Sequence, residues 1–237
     1  MRRVLVTRPE PGASATARAL RQAGFEPVVL PVTEIRPIEL TKTALPMIDA
    51  VALTSANAIR HAPGWLLASF RTIPVHAVGA TTAREARDAG FADVVAGPGD
   101  AAGLAAAMGE ALAPASAVLY LCGKVRKPDF ELGLRGRGIR VIPIETYDTV
   151  PSDFADDEAD KLGASQLFAV LLHSAEAAKA LAKLATRPAV AHLFESARLI
   201  AISRRAAVPA EAVFAGRIVV AREPTEAAML VALSGSG

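Results

Sequence analysis

Short apolar, β-branched runs alternate along this chain with Ala-rich stretches whose apolar residues recur at helical spacing. Val4-Leu5-Val6 reads as a strand and residues 13–23 as a helix, with Gly24 where a left-handed helix stop belongs. The pattern then predicts strands at 27–31, 50–53, 75–78 and 94–95. Helices fall after Asn57, at 82–89 before Gly90, and from Asp100 to Leu112. The second half continues alike, with strands at 118–121, 141–144, 169–172, 199–202 and 217–220. Its helices fall at 128–137 before Gly138, at 175–185, and after Pro224. Strands alternating with helices of this length predict parallel sheets built from βα units, an α/β fold.

The halves repeat each other. Residues 1–32 match 118–144, each a strand, a helix, a glycine stop and a strand. Residues 50–56 match 169–175, the sequences AVALTSA and AVLLHSA. Each half also carries a Pro-spaced extended stretch, Pro31 to Pro37 and Ile144 to Pro151. If these two stretches lie side by side, the chain leaves a first domain, builds a second, and returns. The alternative is two sequential domains divided near Pro114.

Composition narrows the classes. The chain has 237 residues, 52% hydrophobic and 21% charged, enough apolar material for buried cores and too much for general disorder. Aromatics are only 5%, so the cores are built from Ala, Val, Leu and Ile. Mean hydropathy of +0.33 raises the question of a membrane. The longest apolar runs, Leu167 to Leu172 and Ala117 to Cys122, stop far short of the roughly 20 residues a spanning helix needs. The N-terminus lacks a signal-peptide core. A formal charge of +2 makes no basic patch, so nucleic acid is not expected as a partner. A single cysteine, Cys122, fits a reducing compartment. The expectation is a soluble cytoplasmic protein.

In open parallel sheets, ligands bind beyond the C-terminal strand ends, where free backbone N–H groups and helix dipoles favour anions. Those loops here are Thr7-Arg8-Pro9-Glu10, Thr54-Ser55-Ala56-Asn57, Gly79-Ala80-Thr81-Thr82, Cys122-Gly123-Lys124, His173-Ser174-Ala175 and Ser203-Arg204-Arg205. Nearly all are small or hydroxyl-bearing, several add a cation, and carboxylates are scarce apart from Glu10. That set suits a polyanion held by amides, hydroxyls and a few Arg or Lys. The same residue types also cap helices, and for each alone the cap is the favoured reading, whereas six such loops together point to a binding cleft.

Several chemistries fall away. The four histidines, His61, His76, His173 and His192, show no HxxxH or HxH spacing, so no metal is expected. No CxxC, GxSxG or GxxxxGK[ST] pattern occurs. The stretch from Gly97 to Gly103 resembles a dinucleotide loop, but no acidic residue ends the next strand, so it reads as a turn and helix start. The acidic run 153–160 reads as a first helical turn. Of two tyrosines, Tyr120 falls inside a strand and reads as core. Tyr147 falls in the second extended stretch, where a phenol that faces a cleft could donate a proton or hydrogen bond.

Together these segments resemble the uroporphyrinogen-III synthase family over essentially the whole chain. The resemblance rests on Val4-Leu5-Val6-Thr7-Arg8-Pro9 with Leu20 and Gly24, and on Leu53-Thr54-Ser55-Ala56-Asn57-Ala58-Ile59. It rests also on Val78-Gly79-Ala80-Thr81-Thr82-Ala83, on Leu119 to Gly123 followed by Arg126, and on Gly138 followed by Tyr147. It implies two similar α/β domains joined by a two-stranded linker, the first discontinuous. The ranges are then 1–34 with 151–237, then 38–145, with linker strands 33–38 and 145–151. It implies cyclisation of linear hydroxymethylbilane to uroporphyrinogen III, with inversion of ring D and loss of water, without a metal or organic cofactor. The partner is this small linear tetrapyrrole, with transient hand-over from hydroxymethylbilane synthase, and a monomer is expected.

By motif, Tyr147 takes the family's cleft tyrosine position and is the candidate to assist hydroxyl departure. Ser55, Thr82 and Ser174 take its cleft hydroxyl positions. Arg8 and the backbone at Gly79 and Gly123 are candidate carboxylate contacts, with Asn57, Lys124, Ser203 and Arg204 in the same loops. One loop departs from the family. Ser203-Arg204-Arg205-Ala206-Ala207 lacks the threonine many members carry there and adds arginines. A non-enzymatic bilobal anion-binding or sensor module, or an inactive homologue, is the competing reading.

Overall fold

A computed structural model describes residues 1–153 and 160–235. They divide into two compact units, one of residues 1–34 with the chain from Val150 onward, the other Ile35–Thr149. The acidic run expected to open a helix lies largely outside the described residues; Asp160 begins a short 3-10 turn, Asp160–Leu162.

Unit 1 is a five-stranded sheet. Its strands are β1 (Arg3–Val6), β2 (Glu26–Val29), β9 (Ala169–Leu172), β10 (Arg198–Ala201) and β11 (Ile218–Val220). The order is β11-β10-β9-β1-β2, every pairing parallel. The strands are continuous apolar runs because both faces are covered. Helix α1 (Gly12–Gln22) puts Ala13 and Leu20 against Val4, Val6 and Leu171 on one face. The longer helix α7 (Ala175–Ala185) packs Ala177, Leu181 and Leu184 against Leu5, Val170 and Leu172 on the other. Helix α10 (Glu226–Ser234) returns to the α1 face through Met229 and Leu233. The connections change face between β1 and β9, so the topological switch point lies at the C-terminal ends of those two strands.

Unit 2 repeats the plan. Its strands include β4 (Ala50–Leu53), β5 (Val75–Ala77), β6 (Val94–Ala96), β7 (Ala117–Gly123) and β8 (Arg140–Pro151). Their order is β8-β7-β4-β5-β6, again parallel, with β3 (Thr33–Pro37) beyond β8. Reading β8 as β2 and β7 as β1, the strand orders of the two units coincide, which accounts for the internal repeat. Helices α5 (Ala101–Ala111) and α6 (Asp129–Arg135) pack Leu104, Met108, Phe130 and Leu134 on Val118 and Tyr120. Helices α2 (Ala56–Arg60), α3 (Gly64–Ser69) and α4 (Ala80–Asp88) cover the other face through Ile59, Leu66 and Ala83. The face change here falls between β7 and β4.

The two extended stretches pair with each other. The Ile38 N–H donates to Thr146 O and the Ser152 N–H to Val32 O, both at 3.0 Å, so β3 and the far half of β8 run in opposite directions. The second stretch is not a separate linker after a short strand. It is the continuation of one 12-residue strand. Neighbours on both sides hold it extended despite its prolines. Gly24, Gly90 and Gly138 adopt positive φ at the stops expected of them. Elements not expected from the pattern are α3 and two short helices, α8 (Ala191–Phe194) and α9 (Arg204–Ala207). Among the described residues no helix is long and apolar enough to cross a membrane.

Candidate active site

In unit 2, strand register builds the site. Cys122 opposes Glu145 but Gly123 opposes Tyr147, so Thr146 is an extra residue, a bulge in β8. Thr146 is fully buried and its hydroxyl donates to Ala58 O at 3.0 Å, which fixes the bulge. The bulge lays the Tyr147 ring on the backbone of Gly123. A Cβ there would stand 2.7 Å from the ring Cζ and 2.9 Å from the hydroxyl oxygen. Gly123 is therefore glycine for close approach, and what occupies its face is Tyr147. The Lys124 N–H donates to Tyr147 O at 2.9 Å and closes the turn. The His61 ring is 6.2 Å from the Tyr147 ring.

Burial raises the pKa of the Tyr147 phenol, and the Ser55 side chain only partly offsets this. The group is a neutral O–H donor at physiological pH. Tyr120, read as core, is indeed 2% exposed, and its ring meets Phe130 at 4.6 Å. Its hydroxyl also reaches the strand end, 2.7 Å from Thr54 Oγ1, and burial pushes its pKa up to about 12. Cys122 is buried, with its thiol likewise pushed up to about 12 by desolvation, so it is a packing residue and not a thiolate.

Two cations of unit 2 near this site have acidic partners. Arg126 Nε donates to Glu131 at 2.8 Å and Nη1 to Glu145 at 2.7 Å, stapling the loop after β7 to α6 and β8. Lys124 Nζ stands 3.3 Å from Asp148. Gly79 is the extended N-cap residue of α4, and Thr82 lies inside that helix, 5% exposed. Ser55 caps α2 by accepting from the Asn57 N–H at 3.2 Å, while Asn57 Oδ1 accepts from Arg60 at 3.4 Å. The dinucleotide-like loop is a helix start, Asp100 Oδ1 accepting from the Gly103 N–H at 2.8 Å.

Unit 1 presents a different set. Arg8 follows β1, His173 follows β9, and Glu226 is the first residue of α10. Glu226 Oε2 accepts from Arg8 Nη1 at 3.3 Å and lies 2.9 Å from His173 Nε2. Burial raises the Glu226 pKa, but the His173 contact, the neighbouring Thr16 hydroxyl and the Arg8 charge outweigh it and hold the carboxylate below its ordinary value. Ser174 caps α7 and Ser203 caps α9, accepting from the backbone N–H groups of Ala177 and Ala206 at 3.1 and 3.3 Å. Arg204 pairs with Glu211 at 2.6 Å. Glu10 is engaged locally, its carboxylate accepting from Ser14 Oγ at 2.7 Å. Among the described residues no group of three His, Cys, Asp or Glu is placed to hold a metal ion.

Seven of the eleven candidates thus fall at or beside one of the two switch points, and four do not. Tyr147, Gly123, Lys124, Ser55 and Asn57 stand at or beside that of unit 2, and Arg8 and Ser174 at that of unit 1. Gly79 and Thr82 follow β5, while Ser203 and Arg204 follow β10. Sequence reasoning missed Glu226 and the pairing role of His173. It matched Arg126 to a family pattern without finding its structural role.

Comparison with known proteins gives one consistent outcome. The family model described as uroporphyrinogen-III synthase HemD matches residues 14–231. No curated protein matches significantly. Among solved structures, the chain is similar to a uroporphyrinogen-III synthetase from Helicobacter pylori 26695. The TM-score is 0.67 at 20% identity, covering 99% of each chain. A mutant uroporphyrinogen III synthase from the extremely thermophilic bacterium Thermus thermophilus gives a TM-score of 0.53 at 18% identity, covering 100% of each chain. At such identities the structural likeness speaks to the fold.

Proposed function

As the chain belongs to the uroporphyrinogen-III synthase family, we propose that its two strand-end sites divide the work of that reaction. The enzyme is a lyase that cyclises linear hydroxymethylbilane to uroporphyrinogen III with inversion of ring D and loss of water. Its substrate carries eight carboxylates and closes unaided to the non-inverted isomer. Much of the task is therefore holding rings in the geometry that favours the inverting route. The C–O bond of the hydroxymethyl group on ring A, the end opposite ring D, breaks as that pyrrole nitrogen supplies electrons, and the oxygen leaves with a proton as water. The cationic methylene carbon is attacked by the substituted α-carbon of ring D. The older bond from that carbon to the ring C bridge breaks and re-forms at the free α-carbon of ring D, which loses its proton.

In our reading the Tyr147 phenol donates its hydrogen bond to the departing hydroxyl. Gly123 seats the ring, and the Thr54–Tyr120 pair and Ser55 supply further neutral polar groups. Arg8, Ser174, Ser203 and Arg204 in unit 1, with Asn57, Gly79, Thr82 and Lys124 in unit 2, hold substrate carboxylates through amides, hydroxyls and cations. The observation that carries this reading is the Tyr147 ring laid on Gly123 by the bulge at Thr146, where burial keeps the phenol protonated. No cofactor takes part in this scheme. It extends to a monomeric cytoplasmic enzyme that receives its unstable substrate by transient hand-over from hydroxymethylbilane synthase, without nucleic acid or membrane.

The test is an isomer assay. Purified protein is given fresh hydroxymethylbilane, and the products are oxidised and separated as type I and type III porphyrins. Predominantly type III is expected. Type I alone, at the rate without protein, rejects the activity in favour of a binding module or inactive homologue. With type III established, Tyr147→Phe is expected to lower kcat without loss of fold, and an unchanged kcat removes Tyr147 from the chemistry.

A further inference from the structure

We propose that Arg8, His173 and Glu226 form a built carboxylate-binding site at the unit 1 switch point, with Glu226 and His173 as positioning residues for Arg8. The three come from chain segments far apart, Arg8 and Glu226 being separated by 218 residues. They meet at the crevice where open α/β sheets take ligands. The shared atom is Glu226 Oε2, which contacts Arg8 Nη1 and His173 Nε2.

One further atom points to a ligand. His173 Nδ1 is buried with no hydrogen-bond partner in a side chain only 10% exposed, whereas the Glu226 carboxylate has the Thr16 hydroxyl beside it. Buried polar atoms are normally satisfied, so an unpartnered imidazole nitrogen at a switch point marks a place organised for something besides stability. Space is also set aside for the guanidinium. A Cβ at Gly12 would displace the Arg8 guanidinium from its place across the start of α1.

The chemistry of the occupant follows from the donors. The Glu226 contact engages one nitrogen of a guanidinium that carries five N–H donors in a planar fork, and the Arg8 side chain is 38% exposed. That fork matches a carboxylate bidentately. A cation is disfavoured by Arg8 itself, and the cluster holds one carboxylate where a metal site would need more. Glu226 anchors Arg8 from one side and, through Nε2, fixes the imidazole. The expected ligand group is an acetate or propionate side chain of the tetrapyrrole. Its owner rests on the enzyme reading above, whereas the carboxylate chemistry does not.

The test is a fluorescence titration of the full chain with uroporphyrin III, an oxidised octacarboxylate that binds without turnover. Arg8→Ala and Glu226→Ala are each expected to weaken binding roughly tenfold, the scale of one lost charge-assisted hydrogen bond. Glu226→Gln keeps an acceptor oxygen for both neighbours and should bind within about threefold of the parent. In steady-state assays the same variants should raise KM more than they lower kcat, a split that a purely structural role would not give. Should Glu226→Ala fail to fold, Arg8→Lys, which keeps the charge and loses the fork, is expected to weaken binding alone. Unchanged affinity in Arg8→Ala and Glu226→Ala overturns the site, and Glu226→Gln binding as weakly as Glu226→Ala overturns the positioning role. Absence of type III product from the parent protein would reject the enzyme reading separately, because the titration needs no turnover.

Discussion

The two units share one strand order and differ in what they place at its switch point. Unit 1 presents Arg8, His173 and Glu226, all ionisable. Unit 2 presents Tyr147 and the Tyr120–Thr54 pair, while Arg126 is held in a structural pair by Glu131 and Glu145 and Lys124 stands beside Asp148 with its side chain largely exposed. Both use a glycine to clear space for the key side chain, Gly12 under Arg8 and Gly123 under Tyr147. The backbone frame therefore fixes where a ligand is met, and a few loop residues decide with what chemistry. A charged crevice suits the holding of carboxylates. A neutral, half-buried one suits assistance to a departing hydroxyl without trapping the cation that forms.

The comparison can be broken most decisively at the glycines. Gly123→Val forces the Tyr147 ring off its seat, and kcat should fall roughly 100-fold, the scale of a lost proton-donor contribution, with KM less affected. Gly12→Val should instead raise KM, by about tenfold if one charge-assisted contact is lost. Steady-state kinetics on both variants checks this, and matching patterns in the two would abolish the distinction between the units.

A smaller effect is expected at the bulge. Thr146→Val keeps the shape but leaves the Ala58 carbonyl unpaired, and should cost about 1–3 kcal/mol in denaturant unfolding. It should also lower kcat, because the bulge aims Tyr147. Smaller still are the paired caps. Ser55→Ala and Ser174→Ala should each cost about 1 kcal/mol of stability. Only the Ser55 variant should lower kcat, since Ser55 neighbours Tyr147.

Acidification gives the smallest contrast. Burial holds His61 and His76 of unit 2 below the ordinary imidazole value of 6.5. Their neutral forms are favoured in the fold, so that contribution is present above pH 6.5 and is lost as pH falls through the lowered values. Glu226 of unit 1 is held below 4.5, so its contribution is present above pH 4.5 and is lost only under more acid conditions. Stability measured against pH should decline below 6.5, and Glu226→Gln should flatten only the limb below 4.5.

Much of the α/β architecture was legible because each element buries a periodic apolar face. Helix α7 follows directly from Ser174 as cap and from Ala177, Ala178, Leu181 and Leu184 at helical spacing. The full length of β8 was not, because beyond the strand at 141–144 the polar stretch from Ile144 to Pro151 reads as linker. Pairing with β7 and β3 supplies the hydrogen bonds that sequence pattern cannot show. The loops that carry the candidates could be found from strand ends, and Tyr147 stood out as a polar aromatic in an extended stretch. The bulge that seats it depends on register across a sheet. Glu226 looked like an ordinary first-turn acid, and only tertiary folding brings it to Arg8.

The division of labour between the units is tested most directly by one paired measurement, kcat and KM for Tyr147→Phe and Arg8→Ala in the isomer-resolved hydroxymethylbilane assay. The account predicts type III product from the parent protein, a kcat loss for Tyr147→Phe with KM nearly retained, and a KM rise for Arg8→Ala with a smaller change in kcat. The same change in both variants, on whichever parameter, would contradict it.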